Sequence, residues 1–205
     1  MGVVKMGATI KGFDDAYNGS EIQAYTVDKL STAVVRVLNA LAEDEEIFKL
    51  LYFEKDDSLG IDLVTSPQAQ AIFTSKRILK NKDEEQRLAP YPFNPKVQSE
   101  HQAFIRVYFN QGSIDNAGFT SSTQVNIDII VSHGLWLTAD SKQKIKLIRP
   151  YAIMSRVIRV LESYGKKDKL PVPSGFTHLT VNEDFECIRI YANMLSTEKE
   201  NLDTK

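Results

Sequence analysis

The sequence predicts an α+β domain: a mainly antiparallel sheet of about four strands, with two long helices packed on one face and long loop insertions. Three observations carry this expectation. Two stretches repeat apolar residues at spacings of three and four, the signature of a helix with one buried face. Two others, "AFIRVYF" and "TQVNIDIIVS", alternate apolar and polar residues, the signature of a half-buried strand. Their order is helix, short helix, long loop, strand, strand, helix, strand, strand, which is not a run of βαβ units.

The chain has 205 residues, a prior for one domain. Hydrophobic residues make up 42% and charged residues 25%, so a real core is available. The formal net charge is -2 and no long Lys/Arg block occurs, which argues against a broad basic face for nucleic acid. The single cysteine, Cys187, permits neither an intrachain disulfide nor a Cys-based zinc cluster and reads as a buried thiol. The first residues lack the apolar core of a signal peptide, and no run reaches membrane-spanning length. The expectation is a soluble protein made in a reducing cytosol.

Residues 1–25 read as an extended arm, residues 26–195 as one α+β domain, and residues 196–205 as a polar tail that frays. Thr26 is placed as N-cap of the first helix, with Val27, Leu30, Val34, Leu38 and Leu41 on its buried face. The acids Asp44 to Glu46 open a second short helix at its positive pole, and Ile47, Phe48, Leu50 and Leu51 supply its buried side. Residues 55–100 break the pattern, with prolines at 67, 90, 92 and 95. They form a long loop insertion in which "AIFTSKRIL" reads as short strands or turns. Residues 110–122 read as a long hairpin loop. Pro150 suits the first turn of the main helix, Ile153, Val157, Val160, Leu161 and Tyr164 give its buried stripe, and Gly165 its stop. "FTHLTV" and "FECIRIYANML" read as the closing strands, turned by "NED".

No local constellation points to chemistry. Asp128 and His133 are an odd number of residues apart on one strand and so face opposite ways. His101, His133 and His178 are isolated, and no nucleophile elbow, Walker loop or dinucleotide fingerprint is present. The catalytic, metal and cofactor expectations are therefore empty. Trp136 reads as a packing anchor at the sheet end. Arg149 precedes the main helix, where a cation gains nothing from the dipole; its partner is expected to be a carboxylate on a loop or neighbouring subunit, or solvent.

The segments "LSTAVVRVLNALAEDEEIFKLLYF", "AFIRVYF", "QVNIDIIVSHGLWLT" and "IRPYAIMSRVIRVLES", with a closing strand, together resemble tailed-bacteriophage neck proteins, above all the tail terminator (tail-completion) family. The resemblance covers Thr26 to Leu195. It implies a homo-oligomeric ring, often a hexamer, at the head-proximal end of the tail. Its partners would be further copies of itself, the tail tube protein and the head–tail connector or adaptor proteins. DNA would pass through the lumen without sequence-specific binding. The location implied is the virion neck, assembled in the bacterial cytoplasm, with no membrane, no cofactor and no catalytic residues to carry over. On this reading Asp128 faces solvent or an interface, and Tyr91, Phe93, Asp128 and Arg149 are the candidate interface residues. The alternatives are a head-completion or connector-adaptor subunit, a cytosolic enzyme of unknown chemistry, and a generic host-cell binding module.

Overall fold

The computed structural model describes residues 22–54, 56–76, 79, 86–94, 102–114, 120–168 and 170–197. The arm over residues 1–21 and the tail from residue 198 onward lie outside the described residues. The first helix, α1 (Ile22–Ala42), contains neither Gly nor Pro and so propagates without a break. It already runs through Thr26, so that residue is internal and not the cap. Val34, Val37, Leu38 and Leu41 are buried, while Leu30 is only half-buried. The second helix, α2 (Glu45–Tyr52), follows at once. Its N-cap is Asp44, whose carboxylate accepts from the Ile47 amide at 2.9 Å. Ile47, Phe48, Leu50 and Leu51 are buried, as expected.

Part of the long insertion has regular structure. Pro67 opens a helix, α3 (Pro67–Thr74), and takes in the first residues of "AIFTSKRIL". Proline sets the first helical turn in advance, a signal that outweighs the polar surroundings. A two-residue strand, β1 (Leu88–Ala89), pairs parallel with β2 (Ala103–Ile114). β2 pairs antiparallel with β3 (Thr120–Ser132), and the ladder continues to Ile114↔Ser121. The expected 110–122 loop is therefore mostly strand, and only residues 115–119 fall outside the described residues.

After β3 a single 3-10 turn (His133–Leu135) leads into a small hairpin, β4 (Leu137–Asp140) and β5 (Ile145–Ile148). Asp140 caps its turn by accepting from the amides of Lys142 and Gln143 at 2.9 and 3.1 Å. The main helix, α4 (Arg149–Asp168), has Pro150 in its first turn. It continues past Gly165, which is not its stop, and Tyr164 lies exposed and outside the buried stripe. The closing strands are β6 (Val172–Thr180) and β7 (Phe185–Thr197). Asn182 turns between them by accepting from the amides of Asp184 and Phe185 at 2.9 and 2.8 Å.

The main sheet has five strands in the order β1-β2-β3-β7-β6, and β4-β5 forms a separate two-stranded sheet. This is the α+β architecture the sequence predicts, with β1 as a short parallel addition. Ile105, Val107, Ile127, Ile129, Ile188 and Ile190 project from one face into the core. There they join Val34 and Leu38 of α1, the apolar side of α2, and Val157, Val160 and Leu161 of α4. Arg156 fastens α2 to α4, donating through Nε to both Asp44 oxygens at 3.0 and 2.8 Å.

Candidate functional site

The second face of the sheet is expected to be solvated, because Asn126, Asp128 and Ser132 alternate with the core residues. It is covered instead. Asn126, Asp128, Ile130 and Ser132 are all buried. At one end Phe104, Ile130, Phe185 and Cys187 form a second apolar cluster, with Phe93 laid against it. The Phe93 ring lies 5.3 Å from the rings of both Phe104 and Phe185. The segment bearing Tyr91 and Phe93 thus folds back on its own subunit. Phe93 is half-buried there, while Tyr91 stays 47% exposed and is the more accessible of the pair.

Arg106 sits beneath this segment. Its guanidinium stacks 4.9 Å from the centre of the Phe104 ring and 5.5 Å from that of Tyr91. It donates to the carbonyls of Arg87 and Ile105, both at 3.1 Å. Burial pulls its pKa down to about 10, so it remains a cation at neutral pH.

Asp128 lies beside this stack on the same face. It does not face solvent, being 5% exposed. Arg189, directly opposite on β7, grips it in a fork: Nε to Oδ1 at 2.7 Å and Nη2 to Oδ2 at 2.9 Å. The Tyr108 hydroxyl donates to Oδ2 at 2.7 Å and accepts from Arg189 Nη2 at 2.8 Å. Burial, then the hydrogen bond and charge of Asp128, push the Tyr108 phenol up to about 12. The hydrogen bond that Arg189 donates to Asp128 holds its guanidinium above the ordinary range. Arg189 Nε and Nη2, both Asp128 oxygens and the Tyr108 hydroxyl are directed at one another, which links β2, β3 and β7.

Arg149 is likewise internal. It is 0% exposed and donates to main-chain carbonyls: Nε to Leu135 and Nη1 to Leu50 and Phe53, each at 2.9 Å. Leu50 and Phe53 mark the carbonyl end of α2, where a cation is favourable. The helix that Arg149 precedes is therefore not the helix it serves. Burial lowers its pKa to about 10 against the raising influence of Asp56 and Glu54. The hydrogen bonds from Nε and Nη1 go to the backbone.

The histidines divide. His101 lies outside the described residues. His133 and His178 flank Glu186, with Nε2 to oxygen distances of 3.5 and 3.0 Å, and Trp136 stacks on His178 at 6.1 Å. The two imidazoles approach different oxygens of one carboxylate from two sides. Among the described residues no group of three or more His, Cys, Asp or Glu could hold a metal ion. Cys187 is buried, and its surroundings push the thiol up to about 12.

The last strand of the sheet and the hairpin carry several of the exposed apolar side chains. Among the described residues β6 has a neighbouring strand on one side only. It exposes Val172 (66%) and Phe176 (59%), and the β4–β5 hairpin exposes Leu137 (60%), Ile145 (42%) and Ile148 (40%). Sequence reading missed the hairpin because each of its strands has only four residues. Its signal was Asp140 followed by a Lys-rich turn between two short apolar pieces. Among the described residues no helix is long and apolar enough to cross a membrane.

The family model YomW, a Bacillus phage-like protein family, matches residues 44–194. That stretch runs from the cap of α2 to near the end of β7. No curated protein matches the chain.

Proposed function

From the chain's membership of the YomW family, a phage-like family matched over residues 44–194, we propose that it is a structural virion protein of a tailed bacteriophage. It forms a homo-oligomeric ring at the head-proximal end of the tail, ends polymerisation of the tail tube and joins the tail to the head connector. It works by contact and not by turnover. The observation that carries this reading is the β6 edge, which pairs with no further strand among the described residues and carries exposed apolar side chains, in a chain of a phage-like family. An edge of this kind is a template for another chain. Asp128 is held by Arg189, Arg149 by main-chain carbonyls and Phe93 by two neighbouring rings, which supports a reading in which the ring contacts lie at the sheet edge and the hairpin.

Particles assembled without the chain test it. Overlong tails unattached to heads are expected under the electron microscope. Tails of normal length beside unjoined heads would favour the connector-adaptor role instead. Complete infectious particles would refute a required neck component. For the non-enzymatic part, folded Asp128→Asn and His133→Asn chains are expected to leave no catalytic turnover to lose. Abolition of a demonstrated turnover by either would overturn it.

A further inference from the structure

We propose that copies of the chain join head to tail by sheet extension, the free edge of β5 in one copy pairing antiparallel with the free edge of β6 in the next. This rests on the ring reading above and names the contact that builds the ring.

The two edges of the main sheet are treated differently. At one end β1 has two residues, both fully buried. At the other, β6 runs for nine residues. Its devices against pairing are confined to its start, where Pro173 precedes a register shift at Gly175. From Phe176 to Thr180 it carries no Lys, Arg, Asp or Glu. Among the described residues the hairpin is also open on one side only. β4 is covered from without: the Ala139 amide donates to the Asp56 carbonyl, and the Thr138 hydroxyl bonds to that carbonyl and to Ser58. Among the described residues no strand other than β4 pairs with β5.

Charge sets the orientation. The hairpin turn and β5 present Lys142, Lys144 and Lys146, all exposed. The β6–β7 turn presents Glu183 and Asp184, both exposed. Antiparallel pairing places the start of β5 beside the end of β6 and so brings the lysines to the acids. Parallel pairing would place them near Val172. Setting Ile148 opposite Phe176 covers two exposed apolar side chains on one face and puts Ile145 opposite Leu179 on the other. The five-stranded sheet then continues across the boundary through β5 and β4 of the next copy. Because the two surfaces differ, the contact is heterologous, and repetition closes a ring or extends a filament. A four-residue strand gives few hydrogen bonds, so each contact is weak alone and gains strength when the ring closes.

Mixing two full-length variants, Phe176→Cys and Ile148→Cys, tests this, both in solution and in assembled particles. Opposed residues in an antiparallel pair hold their Cβ atoms about 4.5–5.5 Å apart, within easy adjustment of a disulfide. Mild oxidation is expected to give a mixed disulfide dimer only when both variants are present, with Cys187 uninvolved because it is buried. A Phe176→Cys dimer without the partner variant would mean a two-fold β6–β6 contact and overturn the proposal. In parallel, Phe176→Lys is expected to weaken self-association at least tenfold in sedimentation. Charge reversal of Lys142 and Lys144 to Glu is expected to do the same, with rescue by Glu183→Lys and Asp184→Lys. Oligomers that resist all of these and form no mixed disulfide would keep the ring but discard this interface. Absence of self-association in both solution and particles would discard the ring reading as well.

Discussion

Replacing Arg149 with Met should cost the fold a large fraction of its margin. The guanidinium is fully buried, with hydrogen bonds of 2.9 Å to the carbonyls of Leu135, Leu50 and Phe53. Methionine fills much of the volume but leaves those carbonyls without their donor. A buried group stranded in this way costs about 1–3 kcal/mol. The Phe53 carbonyl is only partly buried and can recruit water, so it counts at the low end. The three together come to about 4 kcal/mol, with the relief of the desolvated charge acting in the opposite direction. Against a total stability of about 5–15 kcal/mol, that is a large fraction. Urea unfolding followed by circular dichroism measures it as a drop in midpoint at constant slope. Arg149→Lys should fall between, because an ammonium keeps the charge but does not reproduce the planar fork. A Met variant within about 1 kcal/mol of the parent would refute the claim that this side chain closes the carbonyl end of α2 onto the start of α4.

Leu38→Ala should cost about 2–5 kcal/mol in the same urea assay, since Leu38 is 6% exposed within the main core; an unchanged midpoint would mean its helix face is misassigned. Phe93→Ala should lower the thermal midpoint measurably while Tyr91→Ala scarcely moves it; the reverse order would contradict the packing of Phe93 on Phe104 and Phe185. Cys187 should resist a thiol reagent at pH 8 until urea unfolds the chain, because burial, then the charge of Asp128, pushes its thiol up to about 12; rapid native labelling would refute this. The sign follows: from the ordinary 9.0 to about 12 the folded chain keeps a proton that the unfolded chain releases, so this thiol's contribution to stability falls as pH rises through that window.

The helix-facing half of the molecule was legible because one cause dominates it. Val34, Leu38, Val157, Val160 and Leu161 meet Ile105, Val107, Ile127 and Ile129 in one core, as the two periodicities require. The opposite face was misread for a physical reason. Alternation in β3 says that Asn126 and Asp128 point away from the core; it does not say that water is there. What covers Asp128 is Arg189, brought opposite it from 61 residues away, and no local pattern encodes that pairing. Arg149 shows the same limit: its role is set by the carbonyl end of a helix 96 to 99 residues upstream. Charged residues inside strands and at helix starts therefore reveal less about interfaces than their polarity implies, since tertiary pairing can use them up. A residue becomes a better interface candidate when the fold has offered it a partner and left it exposed. Phe176 meets that condition: it lies opposite Ile190 on the last strand of the sheet, yet remains 59% exposed. An aromatic ring held on a strand that, among the described residues, pairs on one side only contributes binding area with little further ordering, which is why self-association should respond to this position before it responds to Asp128 or Arg149.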